Sequence, residues 1–119
     1  MTNDRFEEIW RTDDSVTYAA ISTAHLVNGC SSMWLLIDYA TAQTAADGRI
    51  FMSSKVLFEY DCQAQTRRVL EIQFFDQAMA NGRCVFHNPK VDDPGLPIPP
   101  PGNVGYKAWK IACSGGKMH

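Results

Sequence analysis

The sequence predicts an α+β domain, a mostly antiparallel sheet closed by one C-terminal amphipathic helix. Three observations carry that expectation. Apolar and polar residues alternate through 54–62 and 67–76, the signature of strands with one wet face. Asn-Gly at 28–29 and 81–82 and Asp-Gly at 47–48 punctuate the chain as tight turns do. Beyond Asn103 the apolar period changes to 3.6, so that Val104, Ala108, Ile111 and Ala112 fall on one stripe.

In chain order, the turn-prone "TDD" at 12–14 leads into "SVTYAAI" at 15–21, a short strand with Val16, Tyr18 and Ala20 on one face. After the Asn28-Gly29 turn, "SSMWLLIDYA" places Met33, Leu35, Ile37 and Tyr39 on one face and Trp34 and Leu36 on the other. Residues 41–49 read as a loop closed by Asp47-Gly48. "SKVLFEYDC" then directs Val56, Phe58, Tyr60 and Cys62 inward, with Leu57, Glu59 and Asp61 outward. "RRVLEIQFFD" does the same with Leu70, Ile72 and Phe74 against Glu71 and Gln73. A short strand around Val85 and Phe86 follows the Asn81-Gly82 turn. Prolines at 89, 94, 97, 99, 100 and 101 then remove ladder donors and force extended backbone. That stretch is a stiff crossover loop in preference to a proline-rich ligand for a partner domain. Asn103 caps the helix, and "SGG" at 114–116 stops it.

A chain of 119 residues is one domain by length, here 1–119 with 1–8 and 114–119 expected as flexible tails. With 45% hydrophobic and 20% charged residues it has the composition of a folded chain. A net charge of −2 excludes a general electrostatic grip on nucleic acid or an anionic membrane. No apolar run approaches the roughly 20 residues that span a bilayer.

The four cysteines, Cys30, Cys62, Cys84 and Cys113, contain no CxxC pair, and His25, His87 and His119 do not supply zinc spacing either. Widely spaced cysteines in even number fit disulfides and an oxidising compartment better. "MTNDRFEEIW" is not a signal peptide. The chain is therefore either cytosolic with reduced thiols or exported with its leader replaced by a start methionine, and the cysteines favour the second. The helix must lie on the apolar face of the sheet, so Cys62 on that face and Cys113 at the helix end are expected to pair. Cys30 and Cys84, both at strand starts, would form a second bridge or stay free. Four cysteines allow three pairings, and sequence alone does not choose among them.

No catalytic signature is present. A nucleophilic cysteine needs a nearby base, and nothing places His25 or His87 beside one. The pairs Asp13-Asp14 and Asp92-Asp93 read as solvated turns, and Gly115-Gly116 is no phosphate loop. The expectation is a non-enzymatic protein that needs no cofactor. Trp34, Leu36 and Leu57 project away from the helix-covered face and form the candidate interface. A homodimer seam or cover by the proline loop is preferred there to a host-ligand site.

"YAAIS", the aromatic strand ending in "DYA", "SSKVLFEYDCQAQTRRVL" and the closing "PPPGNVGYKAWKIAC" resemble the surface-adhesin protein E family of bacterial envelope proteins. The likeness runs from Trp10 to Cys113, and Tyr-Asp-Cys followed by Arg-Arg is its most specific part. Cys30 and Cys84 are extra to the family pattern, and Asn103 stands at its serine cap. The resemblance implies about six antiparallel strands with the C-terminal helix tethered by a disulfide to the concave side. It also implies export to the periplasm or outer surface, and dimerisation in some members. The function so implied is a protein-binding module, an adhesin for host matrix or plasma proteins. A periplasmic inhibitor or accessory protein of an envelope enzyme, probing with the 89–101 loop, is the alternative.

Overall fold

The computed structural model describes residues 5–115. Its strands are β1 (Glu7–Arg11), β2 (Ser15–Val27), β3 (Cys30–Thr44), β4 (Ile50–Asp61), β5 (Thr66–Phe75), β6 (Cys84–Asn88) and β7 (Leu96–Pro97), followed by helix α1 (Val104–Cys113). The first six form an antiparallel meander in sequence order, and the two-residue β7 pairs with β5. The α+β architecture expected from the sequence is therefore the observed one. Three differences concern extents. The strand expected at 15–21 runs on to Val27. Glu7 and Glu8, expected in the N-terminal tail, open β1, and β3 continues to Thr44, so the loop expected at 41–49 shrinks to its last five residues. Pairs Gln43–Phe51 and Thr44–Ile50 extend that hairpin.

The turns behave as their residues dictate. Asn28 and Gly29 both have positive φ, 53° and 81°, which suits the right-handed twist of a two-residue hairpin. At Asn81-Gly82 only the glycine is left-handed, and a Cβ there would lie 2.1 Å from Asp76 Oδ1. The short turn Ala78–Ala80 precedes it and packs on β3 and β4.

Register is less regular than the alternation suggested. The β2–β3 pairing shifts between Ala20 and His25. Thr23 mends the gap: its hydroxyl donates to Ala20 O at 2.6 Å and accepts from Trp34 N at 3.2 Å. A second shift falls on β5. Leu57 pairs with Glu71 but Phe58 pairs with Val69, so Leu70 has no partner on β4. Val69 thus takes the position beside Phe58 that the alternation assigned to Leu70, because a bulge reverses the parity of the strand beyond it.

Helix α1 lies on the face that carries Ala19, Met33, Leu35 and Tyr60, and Ala108, Ile111 and Ala112 complete this core with Ile9. Small residues let the helix sit close. Gly105 is buried, and a Cβ there would lie 2.9 Å from Pro99 Cγ. Asn103 Oδ1 accepts from Gly105 N at 2.8 Å, the expected cap. At the other end Cys113 is bonded to Cys62, with Cα atoms 5.7 Å apart and a sequence separation of 51. Trp109 Nε1 donates to Asp61 O beside that bond.

Two outcomes follow for stability. Closing a loop of this length costs the unfolded chain about 4 kcal/mol in the chain-entropy model, so Cys113→Ala should lower the free energy of unfolding by roughly that amount. Thr23→Val leaves Trp34 N and Ala20 O without their bridge and should cost about 1–3 kcal/mol. Urea unfolding followed by circular dichroism reads both, and a Thr23→Val protein as stable as the parent would refute the mending role.

Candidate protein-binding surface

The candidate interface residues lie on the face opposite the helix. Trp34 pairs with Leu57 across β3 and β4, and Leu36 pairs with Lys55 in the next row. Trp34 and Leu57 are half-buried. Leu36 departs from the expected exposed patch, being only 2% exposed. The Ala78–Ala80 turn folds over this part of the face: Met79 N donates to Asp38 Oδ1 and Ala80 N to Ser53 Oγ. Leu36 is therefore packing. Lys55 reaches between two rings, its Nζ 5.2 Å from the Trp34 centroid and 5.6 Å from that of Phe6. Further along, Glu71 Oε2 and His87 Nε2 pair at 2.7 Å on the surface. The accessible part of this face is thus an aromatic and cationic centre with a polar flank.

The expected bridge between Cys30 and Cys84 does not form; both thiols are free. Cys30 pairs with Asp61 at one end of β4, whereas Cys84 pairs with Phe75, which pairs with Ser53. Asp61 and Ser53 are eight residues apart on β4, about 26 Å at the rise of a strand. A disulfide needs Cα atoms within about 7 Å. Cys30 lies next to Gly29, whose carbonyl accepts from Cys62 N, yet it pairs with Asp61 on the face away from the helix. That parity is why Cys62 joins Cys113 and not its neighbour across the hairpin.

Two features escaped the sequence reading. Tyr39, Phe51, Phe74 and Phe86 form an aromatic row, with Phe51 stacked on Phe74 at 4.0 Å and Phe86 5.2 Å beyond. Each ring comes from a different strand, so only the register brings them together. The second is Asp93, read as a solvated turn residue. Its Oδ2 accepts from Val69 N at 2.8 Å and its Oδ1 from Gly95 N at 2.9 Å. These two amides, with Arg67 and Arg68 nearby, hold the Asp93 carboxyl below its usual value of 3.8. Buried Tyr60 moves the opposite way, because desolvation pushes its hydroxyl upward. Its OH and the Ser31 Oγ have no hydrogen-bond partner among the described residues.

No group of three or more His, Cys, Asp or Glu side chains among the described residues is arranged to hold a metal ion. No helix among them is long and apolar enough to cross a membrane. His119 lies outside the described residues. The cleft at Cys30 is polar, about 240 Å³, and lined by Glu59, Asp61, Arg67 and Arg68.

The family model for surface-adhesin protein E matches residues 6–114. The chain belongs to that family. Two solved structures share the fold. One, of Haemophilus influenzae protein E, has a TM-score of 0.70 at 13% identity and covers 100% of this chain and 92% of its own. The other, of protein E from non-typeable Haemophilus influenzae, has a TM-score of 0.63 at 15% identity and covers 96% and 80%. No curated protein matches the sequence. The match takes in both staple cysteines and the helix between the proline stretch and Cys113.

Asp93 generates a pH prediction with a fixed sign. A carboxyl whose folded pKa is depressed stabilises above its unfolded value and loses that contribution as pH falls through the folded value. The stability difference between the parent and Asp93→Ala should be constant from about pH 5 to 7 and shrink as pH falls below about 4. Denaturant melts at stepped pH read it; a difference that grows on acidification would contradict the assignment.

Proposed function

We propose that this protein is a non-enzymatic protein-binding module of the bacterial envelope, displayed at the surface or in the periplasm as an adhesin for a host matrix or plasma protein. The observation that carries this reading is family membership across residues 6–114, which takes in the sheet and the staple. The geometry supplies a suitable surface. Trp34 and Leu57 form an aromatic and aliphatic centre, and Lys55, Glu71 and His87 bring hydrogen-bonding and charge around it. Aromatic anchors within a polar rim are what protein interfaces use. A second copy of the chain would meet the same surface, which makes a homodimer the other use of this face.

The inhibitor reading, with residues 89–101 as a projecting probe, has less support. The segment runs along β5 instead of projecting: Val91 N donates to Leu70 O, Ile98 N donates to Gln65 O, and β7 pairs with Thr66 and Arg67.

Immobilised protein should capture a component of host matrix or plasma, and Trp34→Glu should weaken that capture at least tenfold without changing the far-ultraviolet circular dichroism. Capture of an envelope enzyme alone would favour the inhibitor instead. Light scattering on the same variant reads self-association: a dimer that persists unchanged would remove this face from the seam.

A further inference from the structure

The outer edge of β5 is not open, but what covers it before Ile72 is a strand only over the two residues of β7. Residues 72–75 pair with β6; the stretch before them is covered by the 89–97 segment. That strap contains Pro89, Pro94 and Pro97, which have no N–H to donate. One of the amides of β5, Val69 N, is satisfied by the Asp93 side chain where a neighbouring strand would supply a carbonyl. Burial holds the strap weakly. Only Val91, Asp93 and Gly95 are half-buried between Pro89 and Pro97, and Leu96 is 60% exposed. Its two ends are firmer. Asn88 is in β6, and Ile98 packs against the core next to Pro99 over Gly105. The strap also matches its site in charge. Asp93 sits near Arg67 and Arg68, with Asp92 beside it.

We propose that the 89–97 strap is a displaceable cover and that the β5 edge beneath it is a strand-addition site for an extended, acidic segment of a partner protein. The inference rests on the protein-binding reading and assigns it a second surface. A segment with few hydrophobic contacts and a handful of exposed hydrogen bonds belongs to the low-stability end of a fold and opens without global unfolding. Opening between Asn88 and Ile98 leaves the N–H of Val69 and the C=O of Leu70 without their present partners. It also withdraws the Asp93 carboxylate from the neighbourhood of Arg67 and Arg68, of which Arg68 keeps its pair with Glu59. A partner strand with a full set of N–H groups pairs with such an edge better than three prolines can, and acidic side chains on it replace Asp92 and Asp93.

Native-state hydrogen exchange on the intact, oxidised protein tests the opening without any partner. Val69 and Val91 amides should exchange together and at least 100-fold faster than those of Leu35 and Val56, while Ile98 stays slow. Val69 exchanging as slowly as Leu35 would overturn the displacement and leave the protein-binding reading standing. The site itself is tested with a labelled synthetic peptide copying residues 88–98, its three prolines replaced by threonine. It should bind Asp93→Ala at least tenfold more tightly than the parent, and changing both of its aspartates to asparagine should weaken it. Equal binding to parent and variant, or binding to neither, would overturn the strand-addition site.

Discussion

The fold depends on one contact, the seating of α1 on the face built from Ala19, Met33, Leu35 and Tyr60. A meander of this kind has a wet face and an apolar face, and the apolar one needs a cover. The helix is held there at both ends, by Pro99 against Gly105 where it starts and by Cys113 bonded to Cys62 where it stops. Magnitudes rank these contributions. Burying one large apolar side chain is worth about 1.5–3 kcal/mol, so Ile111, Met33 and Leu35 together exceed the roughly 4 kcal/mol of the staple. The disulfide limits the unfolded chain; hydrophobic burial decides where the helix lies.

What the sequence made legible were periods and caps. The alternation through β4 and the 3.6-residue stripe after Asn103 translate directly into a half-buried strand and a helix with a buried stripe. From those two, the facing of Cys62 and Cys113 follows. What it hid was register. The shifts at Thr23 and Leu70 leave no mark in a local pattern, because a bulge costs one or a few residues whose identities are ordinary for a strand. The error at Leu70 and the unseen row of Tyr39, Phe51, Phe74 and Phe86 share that cause. The failed Cys30–Cys84 pairing has another. Being at a strand start says nothing about which end of the sheet that start occupies, and in a meander alternate strands begin at opposite ends.

Leu36 illustrates how tertiary cover overrides pattern. Alternation placed it correctly beside Trp34 on the face away from the helix, but the Ala78–Ala80 turn lies forty residues on and leaves no sign of where it will fold. Its cover and that of Trp34 differ in kind. The turn is anchored by its main-chain N–H groups to the side chains of Asp38 and Ser53, whereas Trp34 has the Lys55 ammonium over its ring. A lysine over an aromatic ring at a wet site is worth about 0.5–1 kcal/mol. That is small beside the gain from burying an indole in an interface. Trp34 and Leu57 are consequently the part of this face proposed above for a partner.

The two edges of the sheet are protected by different means. At one, β1 is five residues long, bulged between Glu8 and Trp10, and carries a Glu8–Arg11 ion pair at 2.8 Å. Short length, a bulge and exposed charge are the usual ways to stop an edge from pairing with another chain. At the other, the far half of β5 has a bulge at Leu70 and the exposed Arg68–Glu59 pair, but it belongs to a ten-residue strand. The run from Thr66 to Val69 offers an extended backbone on its outer side. The rest of its protection comes from the strap, which uses a carboxylate, few amides and only the two-residue ladder of β7. Protection by side chain and proline excludes accidental pairing while keeping the energy of removal low. An edge meant to remain closed is more securely sealed by a full strand, as β2 seals β3 over most of its length.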